Sequence, residues 1–86
     1  MSREHHISSL VVHGRPERLA AIGEAIRALE GAEVHAMEAG RMVVTLETAS
    51  ESAILLRIHE IGLIDGVMSA TLAFHHVERL SEEDEP

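Results

Sequence analysis

Seven histidines in 86 residues are the feature of this sequence most ready to do chemistry. Two stand together as His5-His6 and two more as His75-His76. Imidazole is a common ligand for Zn²⁺ and Ni²⁺, so strands that placed the two pairs side by side would bring four ring systems together. Alternation limits that idea, because adjacent residues on a strand point to opposite faces and one of each pair is then lost to the site. The ordinary alternative is a set of solvated polar residues at a sheet edge.

Other chemistry is thinner. Cysteine is absent, which excludes disulfides, thiolate nucleophiles and cysteine metal sites. There is no glycine-rich phosphate loop, no nucleophile elbow and no helix-borne His-Glu-x-x-His; His59-Glu60 stands alone. Gly14-Arg15-Pro16 offers an arginine for an acylphosphatase-like cradle, yet the proline removes a backbone donor where an anion would be held. The carboxylates fall outside the apolar stripes, so nothing desolvates one for acid–base work. The expectation is neither an enzyme nor a cofactor protein.

Punctuation and periodicity supply the elements that must position these residues. Ile7 to His13 reads as a central strand, with Ser8, Leu10 and Val12 toward a core and Ile7, Ser9, Val11 and His13 on the other face. Residues 16–30 read as a helix that starts at Pro16 and carries Leu19, Ile22, Ile26 and Leu29 on one stripe. Gly31 suits the left-handed position past its end. Ala32–Glu38 and Arg41–Glu47 form a hairpin, with Val34, Ala36, Met42, Val44 and Leu46 inward and Glu33, His35, Met37, Val43, Thr45 and Glu47 outward. Thr48-Ala-Ser-Glu51 has the spacing of a capping box ahead of a second helix with Ile54, Leu55, Ile58 and Ile61 as its stripe. The last strand, Val67–His76, is expected to turn Met68, Ala70, Leu72 and Phe74 inward and Ser69, Thr71, Ala73 and His75 outward.

The order βαβ occurs twice, and an echo supports it: Leu29-Glu30-Gly31 and Ile64-Asp65-Gly66 stand 35 residues apart, each leading from helix to strand. Right-handed crossovers then give an α+β, ferredoxin-like βαββαβ sandwich. It has a four-stranded antiparallel sheet in order 4-1-3-2 and both helices on one face. Residues 1–80 form this single domain, and 81–86 are expected to be a disordered acidic tail.

That architecture leaves one sheet face uncovered. Its expected occupants are Ser9, Val11, His13, Val43, Thr45, Ser69, Thr71 and Ala73, small and half apolar, a surface another segment can lie across. Antiparallel geometry collects Glu33, Glu47, His75 and Glu78 at one end, where a cationic segment finds an anchor. Solvent or a second copy of the chain are the other occupants. The net charge of −8, four units of it from Glu82, Glu83, Asp84 and Glu85, disfavours nucleic acid, and Phe74 is the single aromatic, too little to stack bases. Apolar runs are too short to span a bilayer and the N-terminus lacks a signal-peptide h-region, so a cytoplasmic protein without membrane insertion is expected.

Ile7-Ser-Ser-Leu-Val-Val12, Glu33-Val34, Val43-Val-Thr-Leu-Glu47 and the closing Gly66-Val-Met-Ser-Ala-Thr-Leu-Ala-Phe-His-His-Val-Glu78 together resemble the NapD family. The resemblance implies a small cytoplasmic chaperone that binds the twin-arginine signal peptide of the periplasmic nitrate reductase catalytic subunit and restrains its export while the molybdenum cofactor is loaded. It also implies no catalysis and no metal of its own. The strands that carry it frame the uncovered face.

Overall fold

The computed structural model describes residues 3–80. The chain runs β1 (Arg3–Gly14), a 3-10 turn (Pro16–Arg18), α1 (Leu19–Arg27), β2 (Ala32–Glu38), β3 (Arg41–Thr48), α2 (Glu51–Gly62) and β4 (Val67–Leu80). All three ladders are antiparallel and the sheet order is β2-β3-β1-β4, the expected 4-1-3-2 read from the other edge. The expected acidic tail lies outside the described residues.

The main core cluster is apolar, with Ser8 and His6 buried beside it. Leu10 and Val12 of β1 and Met42, Val44 and Leu46 of β3 meet Leu19, Ile22 and Ile26 of α1 and Ile54 and Ile61 of α2, all buried. Truncating Leu10 to Ala costs about 2–5 kcal/mol on the usual scale for core cavities.

The sequence echo is a structural one. Gly31 and Gly66 both adopt positive φ, +82° and +97°. In each turn the first strand residue donates back to the residue three before it, Ala32 N to Leu29 O at 3.2 Å and Val67 N to Ile64 O at 3.1 Å. The Gly31 and Gly66 carbonyls then accept from Glu47 N (2.8 Å) and Arg15 N (3.0 Å), which pins each turn to the rest of the sheet.

Three local readings need correction. The cap of α2 is Ser50, whose hydroxyl accepts from Ala53 N at 3.2 Å, while the Thr48 hydroxyl donates to the Ser50 carbonyl at 2.6 Å. Leu55 is 59 % exposed and does not belong to the buried stripe. In β2 the register passes from Val34↔Val44 to Ala36↔Val43, leaving His35 as an extra residue. That bulge turns Ala36 outward and Met37 inward, opposite buried Met42 and against Gly23 of α1. Met37 stays 43 % exposed at the edge of the core, its flexible thioether lying over Gly23.

A second bulge matters more for function. Ser9 pairs with Phe74 but Leu10 pairs with Leu72, so Ala73 is the extra residue and every side chain after it changes face. Phe74 therefore lies on the uncovered face and His75 on the helix side, the reverse of the alternation reading.

Candidate functional site

Register defines the uncovered face row by row. Glu33, Thr45, Ser9 and Phe74 form one row across the four strands, and Ala36, Val43, Val11 and Thr71 the next. Glu38, Arg41, His13 and Ser69 close one end, while Glu47, Ile7 and His76 extend toward the other. Val43 is 39 % and Phe74 57 % exposed, so this face presents apolar surface to solvent. Val11, Ile7 and Thr45 are half-buried. Phe74 stacks on His76, with ring centroids 6.2 Å apart and an interplanar angle of 10°.

Of the expected site residues, Ser9, Val11, His13, Val43, Thr45, Ser69, Thr71, Glu33 and Glu47 share this face. Ala73 is the bulge itself, and Glu78 lies opposite His5 at the Glu47 end. His75 does not belong. It turns to the helix side, where Ser8 Oγ and His75 Nδ1 are 2.7 Å apart. Ser8 is fully buried, and without the bulge Phe74 would face its hydroxyl and leave it with no partner. Sequence alternation placed Ile7 on this face correctly and missed Phe74, Ala36 and His76 as members of it. The signal available in advance was the need of inward-facing Ser8 for a polar neighbour, which His75 meets and Phe74 does not.

The same geometry settles the four-imidazole idea. His6 and His75 lie on the helix side, with His6 Nδ1 and His75 Nε2 3.5 Å apart, while His5 and His76 belong to the other face. The outer nitrogen of His6 is 3.0 Å from Glu4 Oε1. Hydrogen bonding thus runs Ser8, His75, His6, Glu4, a polar seam under the end of the sheet. Its serine, histidine and carboxylate are not a hydrolytic triad, because no substrate carbonyl reaches a hydroxyl that is fully buried. Among the described residues no group of three or more His, Asp or Glu is arranged to hold a metal.

The acidic end is built by β-strand termini. A depression of about 420 Å³ is walled by Ile7, Ala32, Glu33, His35, Thr45 and Glu47, and a neighbouring one of about 390 Å³ by His5, Glu30, Glu47, Thr48 and Arg57. Glu47 belongs to both. Arg57 is engaged with Glu60 (2.9 Å) and with the Glu30 carbonyl (3.1 Å) and carboxylate (3.9 Å). The cationic-type contacts of Glu47 and Glu33 are to imidazoles: His5 Nδ1 at 3.3 Å and His35 Nε2 at 3.4 Å. His35 Nε2 is also 2.6 Å from Thr45 Oγ1. Such an end offers two exposed carboxylates to a guanidinium, beside an apolar strip.

Comparison with known proteins gives a consistent result. The family model described as NapD protein matches residues 5–79. The chain is 37 % identical over 83 residues to the chaperone NapD of Paracoccus pantotrophus, covering 96 % of this chain and 74 % of that one. It is 30 % identical over 76 residues to the chaperone NapD of Haemophilus influenzae, covering 86 % and 82 %. The solution structure of the E. coli Tat proofreading chaperone protein NapD superposes with a TM-score of 0.78 at 25 % identity, over 94 % of this chain and 84 % of that one.

Proposed function

This chain belongs to the NapD family of Tat proofreading chaperones, and from that premise we propose that it binds the twin-arginine signal peptide of the periplasmic nitrate reductase catalytic subunit precursor. Binding takes place in the cytoplasm and restrains export until the molybdenum cofactor is inserted. The observation that carries the reading is the uncovered sheet face, with an apolar strip of Val11, Val43 and Phe74 that ends at Glu33 and Glu47.

Magnitudes divide the labour. Covering three partly exposed apolar side chains contributes on the order of 1–2 kcal/mol each, whereas exposed ion pairs contribute about 0–1 kcal/mol each. The strip therefore sets affinity and the acidic end sets polarity, with the arginines at Glu33 and Glu47 and the apolar segment running over Val11 and Val43 toward Thr71 and Ser69. Ser9, His13, Thr45 and Ala73 line the path, and Glu78 adds charge at the arginine end. Occluding the arginines hides the export signal.

Calorimetric titration with a twin-arginine signal peptide at low salt tests this. Val11→Glu and Glu47→Lys are each expected to weaken binding about tenfold or more; unchanged affinity in both variants rules the face out.

A further inference from the structure

We infer that His5 and His35 make this face a pH-gated arginine site, their protonation weakening the grip on a cationic peptide so that release becomes easier as pH falls. The inference rests on the peptide-site reading above and concerns its regulation. Both carboxylates assigned to the peptide's guanidiniums already stand beside an imidazole, Glu47 with His5 Nδ1 at 3.3 Å and Glu33 with His35 Nε2 at 3.4 Å.

A neutral imidazole leaves the carboxylate charge available, and an arginine fork docks onto it. A protonated imidazole is a cation in place before the peptide arrives. The incoming guanidinium must then displace it or share the carboxylate with a like charge. All four side chains are 44–76 % exposed, so protons reach them directly from solvent.

His76 of β4 shares the row of Ile7 and Glu47 on this face, one strand beyond Ile7 and stacked on Phe74, and it is common to wild type and the H5Q/H35Q variant. Glu78 of β4 lies opposite His5 in register, and Arg57 and Glu30 across the adjoining depression are engaged with one another. On the hairpin side, His35 meets Glu33 of its own strand and the neutral hydroxyl of Thr45 from β3. The second histidine pair, His6 with His75, lies under the opposite face.

The test is calorimetry of the full chain with an acetylated peptide that carries two adjacent arginines and an apolar segment but no His, Asp or Glu. Wild type is expected to bind about three- to tenfold more weakly at about pH 6 than at about pH 8, and H5Q/H35Q to hold its affinity within about twofold. Because linkage is reciprocal, binding at the lower pH should also release more protons from wild type than from the double variant, read from two buffers of different ionisation enthalpy. Equal wild-type affinity at both pH values, or a double variant that keeps the wild-type pH dependence and proton release, overturns the gate alone. Absence of binding at either pH overturns the gate together with the peptide site.

Discussion

Phe74 of β4 lies directly opposite Ser9 of β1 on the face of the sheet that no helix covers, and the residue that puts it there is Ala73. The largest apolar ring of the chain is thereby spent on a surface and not on the core. Phe74→Ala should change unfolding free energy by no more than about 0.5 kcal/mol while weakening a signal peptide about tenfold. Denaturant titration and calorimetry on the same preparation check both halves.

His75 makes the opposite prediction. Its Nδ1 is 2.7 Å from the buried Ser8 hydroxyl, so Ser8→Ala removes a hydrogen bond inside the polar seam. A loss of about 1–3 kcal/mol in urea unfolding is expected, with peptide affinity unchanged, because the seam and the binding face lie on opposite sides of the sheet. Equal loss of affinity and stability would mean that the two faces are not independent.

Gly31 couples fold to site. Its φ is +82°, its carbonyl accepts from Glu47 N at 2.8 Å, and a Cβ there would collide with the Glu47 carbonyl. Gly31→Ala is expected to cost about 1–3 kcal/mol and to weaken peptide binding as well, since the strand end that carries Glu47 must move. Thermal unfolding and a peptide titration of the variant measure the two effects.

The sheet order, the two helices and most of the core stripe were legible in the sequence, because each follows from a period of hydrophobic residues or from a glycine at a helix end. What alternation misread has one cause. A bulge adds a residue without adding a glycine or proline, so at His35 and Ala73 nothing in the residue types marks the change of face. Met37, Phe74 and His75 were reversed as a consequence. Their correct faces follow from tertiary need: Met37 reaches α1 and His75 satisfies Ser8. The choice of Ser50 over Thr48 as the helix cap turns on backbone geometry of the same local kind, with two hydroxyls competing two residues apart.

The central claim is that a signal peptide lies across the bare sheet face, and amide chemical-shift mapping tests it most directly. The rival surface is the outer side of α2, where Leu55, Leu56 and Leu63 are 59 %, 53 % and 72 % exposed. On titrating a twin-arginine signal peptide into isotopically labelled chain, the largest shifts are predicted at Ser9, Val11, Val43, Thr45, Glu47, Thr71 and Phe74. Shifts concentrated at Leu55, Leu56 and Leu63, with the β1 and β3 amides unmoved, would contradict it.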